Sequence, residues 1–592
     1  MIKISAVVIT YNEEKNISRC LDSLLPVVDE IIVVDSFSDD ATLSISLAKG
    51  ARVLKNKFEG YIEQKNFGIE NALYDYILSI DADEYLSERL TQSILAIKST
   101  ATSEAFIMNR LSSYGSKWIN HTDWYPDKKL RLWNRKFGRW GGPNPHEKVI
   151  LNSSVEIKHI KGDLLHVAYK DADQLLLKAN QYSSLFARNA RMKVGSNYFK
   201  IFYKTLYTFI RNYFIRTGFL SGLAGLQISF TNATYSFFKF SKLLELNRSL
   251  PSFPEEVSYI PNGISVVIPN YNGEKLFPRT LGPLLSVMKQ AGLPFEIFIV
   301  DDCSTDNSIA YLKENFPEII ILKNEVNKGF SGTINKGIFS TQYELVLLLN
   351  SDIILTDGYF EHQLKYFNDK DTFGVMGRVI GWRDDKIQDG ARLPEFSGFK
   401  MKTSGNYLLK EMQTESLYTL YLSGANALVS RAKLIELGGF DEIFSPFYIE
   451  DCDLSFRAWR VGWKCYYENR AICRHKTSSS VKAKNRKEYV EVIYNRNKLF
   501  LHAIHMEGYL LPFWFLQVSL EAFVRVFTFR LSFVKSLVLF LKEKNEWISS
   551  RKKYDQLRNS RGESVSLFRI SRGIQQSLYK RKKVKFLSVR SE

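Results

Sequence analysis

Residues 4–15 read ISAVVITYNEEK and residues 264–275 read ISVVIPNYNGEK, so one opening segment occurs twice in the chain. Two further segments return in the same order, at offsets that drift only slightly: DEIIVVDSFSDD (29–40) as FEIFIVDDCSTD (295–306), and YDYILSIDADEY (74–85) as YELVLLLNSDII (343–354). A repeat of this period is too long for a solenoid and predicts two tandem copies of one domain.

Each copy alternates short apolar runs with helical patterns. Buried strands are predicted at Ile4–Ile9, Ile31–Val34 and Tyr76–Ile80, with helices at Glu14–Leu25 and Asp40–Lys49 between them. This alternation predicts an α/β fold with a mostly parallel sheet in each copy. Polar clusters follow the strands, and open α/β sheets bind ligands at the carboxyl ends of their strands.

Composition excludes several classes of protein. The chain has 592 residues with 33 Gly and 15 Pro, too few for a collagenous or low-complexity protein. Its formal net charge of +18 favours an anionic partner, which could be nucleic acid, acidic lipid or a phosphorylated substrate. No nucleic-acid-binding signature accompanies that charge, so nucleic acid is a remote alternative. Five cysteines without a CxxC pair, and an opening run too short for a signal peptide, predict a cytoplasmic chain.

We expect an N-terminal domain over 1–198, a linker over 247–262 and a C-terminal domain over 263–505. An apolar, aromatic region follows each domain, at 199–246 and 506–548, and polar residues interrupt both. Neither region contains about 20 uninterrupted apolar residues, so we expect amphipathic helices on an anionic membrane surface. Packing on the domains or on a partner subunit is the alternative. The basic tail, 549–592, is expected to be loose.

A pair of carboxylates follows the third strand of the first copy, in Asp81-Ala82-Asp83. Side chains two residues apart on a strand share a face, and two carboxylates there repel each other unless a cation lies beside them. Mg²⁺ or Mn²⁺ suits oxygen ligands and also binds diphosphate, although a solvated turn is the alternative. The second copy has Asn350-Ser351-Asp352, so we expect weaker metal binding there unless a diphosphate supplies the missing charge.

Both halves resemble inverting glycosyltransferases of family 2, which have the GT-A nucleotide-sugar fold. The first half resembles the lipopolysaccharide-core glucosyltransferase branch, through Thr10-Tyr11-Asn12-Glu13, Asp35, the Lys65 region, Asp81-Ala82-Asp83, Tyr125-Pro126-Asp127, Leu130-Arg131-Leu132-Trp133 and Pro145-His146-Glu147. The second half resembles the rhamnosyltransferase-like branch, through Pro269-Asn270-Tyr271-Asn272, Asp301-Asp302, Asn327-Lys328-Gly329, Asn350-Ser351-Asp352, Ser423-Gly424-Ala425 and Glu450-Asp451-Cys452-Asp453. Together the resemblances cover roughly residues 1–245 and 262–505.

The resemblance implies a role for each matching residue. Asp451 would be the catalytic base of the second half, beside Glu450, and Glu147 the base of the first half, with Glu84 as its competitor. The implied metal ligands are Asp81, Asp83, His166, Asp352 and His475. The implied nucleotide-sugar contacts are Thr10, Tyr11, Asn12, Glu13, Asp35, Lys65, Asp81, Pro269, Tyr271, Asp301, Asn327, Gly329, Asn335 and Ser351.

Structural roles compete with several of these assignments. Asp35 and Asp301 could cap the helix that follows each strand, and Glu450-Asp451 could cap the helix predicted at Leu454–Val461. The tryptophans of the first half could stack on sugars or fill the core: Trp124, Trp133 and Trp140.

The resemblance implies a bifunctional, metal-dependent transferase. It would take UDP- or dTDP-sugars and extend a lipid-linked lipopolysaccharide or surface-polysaccharide acceptor at the inner face of the cytoplasmic membrane. The alternative is that only one half is catalytic and the other docks the acceptor. A processive polymerase is disfavoured, because no Gln-x-x-Arg-Trp motif occurs.

Overall fold

The computed structural model describes residues 2–100, 105–142, 147–152, 155–253, 259–410, 415–476, 487–529, 531–579 and 584–587. Its contacts divide the chain into two compact units. The first unit comprises Met1–Ala187 with Ser196–Lys242, and the second comprises Arg188–Gly195 with Leu243–Glu592. Pro145, His146 and Arg530, which the sequence singles out, lie outside the described residues, as do 254–258 of the predicted linker.

The first unit is a mixed sheet flanked by helices. Its strands are β1 (Ile4–Thr10), β2 (Glu30–Asp35), β3 (Arg52–Lys55), β4 (Tyr76–Asp81), β5 (Glu84–Leu86), β6 (Ala105–Tyr114), β7 (Lys117–Trp118), β8 (Asp127–Asn134), β9 (Gly138–Gly141), β10 (Lys148–Leu151) and β11 (Ile157–Tyr169). Its helices are α1 (Ile17–Leu24), α2 (Thr42–Ala48), α3 (Tyr61–Glu70), α4 (Glu88–Thr100), α5 (Ala172–Ala190), α6 (Tyr198–Ile210) and α7 (Leu223–Asn247); α5 and α7 extend a few residues into the second unit.

The second unit repeats this architecture and adds helices after it. Its strands are β12 (Ile264–Asn270), β13 (Phe295–Asp301), β14 (Ile320–Lys323), β15 (Leu345–Leu349), β16 (Ile353–Leu355), β17 (Thr372–Gly381), β18 (Ile387–Asp389), β19 (Ala391–Ser397), β20 (Lys400–Leu409), β21 (Leu417–Tyr418), β22 (Asn426–Ser430), β23 (Lys464–His475) and β24 (Val584–Leu587). Its helices are α8 (Phe277–Gln290), α9 (Ser308–Asn315), α10 (Gly329–Ser340), α11 (Arg431–Glu436), α12 (Glu450–Arg460), α13 (Lys487–His505), α14 (Leu511–Phe527), α15 (Leu531–Lys542), α16 (Lys544–Arg561) and α17 (Leu567–Ser577).

The main sheets of the two units have the same strand order. It is β3-β2-β1-β4-β8-β6-β11-β5 in the first unit and β14-β13-β12-β15-β22-β17-β23-β16 in the second. The first four strands of each sheet are parallel, and the next strand joins them antiparallel. The predicted tandem α/β domains with mostly parallel sheets are therefore confirmed.

A glycine in one helix of each unit sets how closely that helix approaches its sheet. A Cβ at Gly68 of α3 would overlap the side chain of Val7, and a Cβ at Gly337 of α10 would overlap that of Val267. Val7 and Val267 are equivalent residues of the repeated opening segment. The two helices therefore have a common register, in which Lys65 of the first unit corresponds to Ile334 of the second.

The basic tail is folded, so the expectation of a loose segment is wrong over its described part. It forms most of α16, all of α17, and β24, which pairs with β20. Apolar residues at helical spacing explain the difference, because they are buried in the core of the second unit: Tyr554, Leu567, Ile570, Ile574 and Leu578. Among the described residues, no helix is long and apolar enough to cross a membrane.

Candidate active sites

The loops that follow the first two strands are tied together in the same way in both units. In the first unit, the Ser38 hydroxyl donates to Asp35 over 2.5 Å and accepts the Asn12 N–H over 2.9 Å. In the second unit, Ser304 Oγ accepts the Asn272 N–H over 2.9 Å, and the Ser304 N–H donates to Asp301 over 3.2 Å.

The two aspartates do not cap the helices that follow their strands. Ala41 is the N-cap of α2 and Asn307 is the N-cap of α9. The capping alternative is therefore wrong for Asp35 and Asp301. Both carboxylates lie at the carboxyl ends of their strands, where they shape the loops of the predicted nucleotide site.

Asp81 of the first unit lies between two buried cations. Its carboxylate is 3.0 Å from Lys65 Nζ and 3.2 Å from Arg131 Nη2. Both cations also lie against the Trp140 ring, at 4.4 and 5.5 Å from its centroid. Burial acts to raise the pKa of Asp81, but Lys65 and Arg131 outweigh it and hold that pKa well below its usual range. The negative charge of Asp81 is therefore already balanced by protein.

Glu84 is a buried structural ion. It accepts the N–H of Asp81 over 3.0 Å, and its other oxygen lies 2.9 Å from Arg131 and 3.2 Å from Arg110. Burial acts to raise its pKa, but these two guanidinium groups lower it below the usual value. A fully buried carboxylate with these partners is a poor proton acceptor, so the geometry favours Glu147 over Glu84 as the base.

Glu147 reaches the same cluster through Lys65. Its Oε1 lies 3.0 Å from Lys65 Nζ, so the ammonium bridges Glu147 and Asp81. Its Oε2 is buried and has no hydrogen-bond partner among the described residues. The structure therefore brings together three residues that are far apart in sequence: Lys65, Asp81 and Glu147.

An aspartate–histidine pair lies beside the predicted metal turn in each unit. The distance from Asp83 Oδ2 to His166 Nε2 is 3.4 Å, and the distance from Asp352 Oδ2 to His475 Nε2 is also 3.4 Å. Strand pairing places each histidine beside its turn, because His166 pairs with Glu84 and His475 pairs with Ile353.

The donor set of each pair fits a divalent cation. His475 Nδ1 lies 3.0 Å from Gln388 Oε1, a contact that orients the ring so that Nε2 faces Asp352. Asp352 Oδ1 is buried without a hydrogen-bond partner among the described residues. In the first unit His166 Nδ1 lies 3.0 Å from the Ser112 hydroxyl. One carboxylate and one imidazole would fill only part of the coordination sphere of such a cation and leave the rest to a diphosphate and water. Groups of three or more potential metal-ligating residues do not occur in the described part of the chain.

The Glu450-Asp451 pair opens helix α12. In the structure this helix begins at Glu450, four residues before the predicted start at Leu454. Both acids therefore lie in its first turn rather than before it. Tyr448 and Ile449 precede it with φ of 72° and 78°, a left-handed conformation that is strained for a β-branched residue such as Ile449. Such strain occurs where a fold must place particular side chains at a site.

Both acids of this pair have raised pKa values. Burial, reinforced by the neighbouring Asp451, raises the pKa of Glu450 to about 8. Burial also raises the pKa of Asp451. Asp451 Oδ1 accepts the N–H of Cys452 over 2.8 Å, so this oxygen caps a first-turn N–H of α12. Asp451 is also the more exposed of the two acids. This combination suits a base that meets an acceptor hydroxyl.

Comparison with known proteins identifies the family. The glycosyl transferase family 2 profile matches residues 5–156 and 265–438, which is more than half of the chain.

The chain belongs to glycosyltransferase family 2.

An uncharacterized glycosyltransferase of Rickettsia typhi (strain ATCC VR-144 / Wilmington) is 32% identical over 259 residues, covering 42% of this chain and 88% of the relative. The lipopolysaccharide core biosynthesis glycosyltransferase LpsC of Rhizobium meliloti (strain 1021) is 29% identical over 276 residues, covering 44% of this chain and 98% of LpsC. A crystal structure of GalNAc-T7 with UDP, GalNAc and Mn²⁺ is 17% identical with a TM-score of 0.36, over 45% of this chain and 54% of that one. The profile matches in both halves confirm the resemblance to tandem family 2 domains.

The two family 2 domains carry different residues around the turn that is predicted to bind the metal. Strand registers and the register of α3 and α10 match Lys65, Asp81, Glu84 and Arg110 to neutral residues: Ile334, Asn350, Ile353 and Val379. Arg131 lies in a register shift between β6 and β8, whereas β17 and β22 pair without a shift. Arg131 is thus an extra residue of the first domain, and such bulges re-aim side chains near active sites.

Other predicted contacts have mainly structural partners. The Asn335 amide exchanges two hydrogen bonds, each of 2.8 Å, with the backbone of Phe440, and Asn66 pairs with the backbone of Trp140 in the same way. Asp302 accepts the N–H groups of Lys328 and Gly329 and so fixes the loop that contains Asn327.

The remaining contacts lie near the strand ends. Tyr11 and Tyr271 are about half exposed, at 58% and 47%, and Thr10 Oγ1 is buried without a partner among the described residues. Burial raises the pKa of Glu13, while Pro269 and Ser351 are partly exposed. None of these positions is excluded from a nucleotide site.

The tryptophans of the first domain divide between core and site. Trp133 is fully buried and donates to the Gly138 carbonyl, while Trp124 stacks on Tyr169. Trp140 alone of the three contacts Lys65 and Arg131. In the sequence Arg131 stands out only as part of the Leu130–Trp133 motif. No local pattern marks Asn66, Arg110, Ser112 or Gln388, because their partners are set by strand register and by packing between distant segments.

The two aromatic regions each pack on their own unit and expose the opposite face. Ile228 of α7 is buried in the first unit, and Trp514 and Phe540 are buried in the second. Phe199 and Phe202 of α6 are 77% and 69% exposed, and the outer face after α13 exposes further apolar side chains: Phe513, Leu516, Leu520, Phe523, Phe527 and Phe529.

Proposed function

We propose that this family 2 glycosyltransferase is bifunctional and inverting, with one metal-dependent site in each domain that uses a UDP- or dTDP-sugar. The observation that carries the proposal is the Asp–His pair, which has the same 3.4 Å separation and the same place in the sheet in both domains. A domain that only docked an acceptor would have no need of a metal-ligating pair.

In each site a carboxylate accepts the proton of the acceptor hydroxyl as that hydroxyl attacks C1 of the donor sugar. Glu147 takes this role in the first domain and Asp451 in the second. Asp83 with His166, and Asp352 with His475, would hold Mg²⁺ or Mn²⁺, which supplies positive charge to the departing diphosphate. Attack from the face opposite the leaving group inverts the anomeric centre.

The nucleotide binds in this proposal at the ends of the first strands. Asp35 and Asp301 would meet the base or ribose, with the side chains of the repeated opening loops around them. Lys65 and Arg131 balance the charge of Asp81 in the first site, whereas the second site has the neutral Asn350 at that position. Both sites therefore rely on the metal pair for positive charge at the diphosphate. Because Asp81 is already neutralised, each site offers its cation one carboxylate and one imidazole, and we expect similar metal requirements rather than a weaker second site.

We propose a lipid-linked saccharide of lipopolysaccharide or a related surface polysaccharide as the acceptor, at the inner face of the cytoplasmic membrane. LpsC, a lipopolysaccharide core biosynthesis glycosyltransferase, supports lipopolysaccharide as the product. The Poly-beta-1,6-N-acetyl-D-glucosamine synthase of Staphylococcus epidermidis (strain ATCC 35984 / DSM 28319 / BCRC 17069 / CCUG 31568 / BM 3577 / RP62A), 25% identical over 240 residues, supports the wider polysaccharide class. The exposed aromatic faces near α6 and α14 would lie against anionic lipid.

A donor panel tests the proposal. The full chain is assayed for release of nucleoside diphosphate from UDP-, dTDP- and GDP-sugars, and then with D83A and D352A. We expect each variant to abolish turnover of one donor and spare that of the other. Loss of all turnover in one variant, with no effect of the other, would mean that only one domain is catalytic. Titrations with Mg²⁺ and Mn²⁺ should give similar half-activation concentrations for both activities.

A further inference from the structure

Lys65 is a buried ammonium that is shared by two carboxylates from different parts of the first domain. Only 1% of the residue is exposed, and its Nζ lies 3.0 Å from both Asp81 Oδ1 and Glu147 Oε1. Asp81 has a second cation in Arg131, but Glu147 has no other ion-pair partner among the described residues. The link from Lys65 to Glu147 is therefore the less replaceable of the two.

The second domain shows that a cation is not required at this position of the fold. Ile334 is fully buried at the place that corresponds to Lys65, and Asn350 replaces Asp81. The base proposed there, Asp451, is held instead by a backbone hydrogen bond, because its Oδ1 accepts the Cys452 N–H. In both domains one carboxylate oxygen of the proposed base is thus fixed by a donor.

We propose that Lys65 is a positioning residue for the catalytic base of the first domain. It holds Oε1 of Glu147, so that Oε2 is left to accept the proton of the acceptor hydroxyl. This inference rests on the proposed function of Glu147. Glu147 lies just before β10 and is held there by a side-chain anchor, whereas Asp451 lies in the first turn of helix α12.

The competing role is that Lys65 only neutralises Asp81. The second domain suggests the variant that separates the two roles, K65I/D81N, which installs the pair found at Ile334 and Asn350. That variant removes the charge of Lys65 together with the charge of Asp81. If neutralising Asp81 is the whole role, K65I/D81N should resemble D81N alone. If Lys65 positions Glu147, the double variant should lose kcat beyond the loss in D81N.

The experiment measures nucleoside-diphosphate release from UDP- and dTDP-sugars in full-length protein that carries D451N, so that turnover reports the first domain. We expect K65I/D81N to lower kcat at least tenfold below D81N with little further change in KM. K65R should recover most of the activity lost in K65A, because it keeps the cation. In an E147Q background, adding K65I/D81N should cost no more than adding D81N. Equal kcat for D81N and K65I/D81N would overturn the proposal.

A structural readout keeps the test independent of turnover. Crystal structures of D81N and K65I/D81N should show Glu147 in its place in the first and displaced in the second. An undisplaced Glu147 in K65I/D81N would overturn the proposal even in a protein without donor turnover. Absence of turnover in the parent chain would count against the proposed function instead. If K65I/D81N fails to fold while K65I/D81N/E147Q folds, the buried carboxylate of Glu147 needs the ammonium of Lys65 as its partner, as proposed.

Discussion

The two α/β domains place an Asp–His pair at the same point of equivalent sheets. They differ at the residue two positions before that aspartate, which is charged with charged neighbours in the first domain and neutral with neutral neighbours in the second. In the first domain Asp81 lies between Lys65 and Arg131, and in the second domain Asn350 lies where those cations are absent. The acid and its cations are present together or absent together, because one buried charge without the other is costly. Asn350 is therefore the neutral member of a neutral set rather than a damaged metal ligand.

The largest expected effect comes from removing each proposed base. E147Q should lower turnover of one donor by about 10²–10⁴-fold and leave the other unchanged, since general base catalysis contributes this much. D451N should do the reverse. Both are measured as kcat for nucleoside-diphosphate release on the full chain. A single variant that stopped both activities would break the comparison, because the two sites would then not be independent.

Breaking one buried charge should destabilise the domain that contains it. K65I leaves Asp81 and Glu147 short of a partner, and we expect a loss of about 3–5 kcal/mol in the free energy of unfolding. K65I/D81N should recover part of that loss. In the second domain I334K should destabilise, and I334K/N350D should recover stability there. Urea unfolding followed by circular dichroism measures all four; an I334K/N350D variant less stable than I334K would contradict the charge-set argument.

Glu450 should make the stability of the second domain depend on pH. Its pKa is raised to about 8 by burial and by Asp451, so the folded state binds its proton more tightly than the unfolded state. That contribution to stability is fully present below the unfolded pKa, near 4.5, and is lost as pH rises toward 8. E450Q should therefore gain on the order of 4 kcal/mol relative to wild type between about pH 4.5 and pH 8.5. Thermal unfolding of both proteins at a series of pH values measures this difference. If the stabilities of wild type and E450Q change equally with pH over this range, the raised pKa of Glu450 is contradicted.

The sequence alone predicts the tandem α/β domains well, because repeated strand segments such as Ile4–Ile9 are local signals. It also predicts Asp83, His166, Asp352 and His475 as metal ligands, which the structure brings together in pairs. It does not predict that Arg131 and Lys65 face Asp81, because that contact depends on a β-bulge and on packing between residues far apart in sequence. The folded tail was missed for a similar reason: its basic residues conceal buried positions such as Tyr554 and Ile574.

The smallest expected effect concerns membrane binding by the two aromatic regions, 199–246 and 506–548. Arg211 and Arg216 pair with Asp123, and Lys535 pairs with Glu488. These ion pairs reduce the charge available to anionic lipid, so the exposed aromatic side chains should supply most of the affinity. Salt should therefore weaken binding without abolishing it, because apolar contacts are not screened.

Flotation with anionic and neutral liposomes measures this binding. F199S/F202S on α6 and F523S/F527S on α14 should each weaken it about tenfold, from the loss of two apolar contacts. L73S is the matched control, because Leu73 is 69% exposed and lies outside both regions. If only one double variant reduces flotation, one domain carries the membrane contact and the other aromatic face has a different use. If full-length protein does not float with anionic liposomes at low salt, both faces are surfaces for something other than lipid.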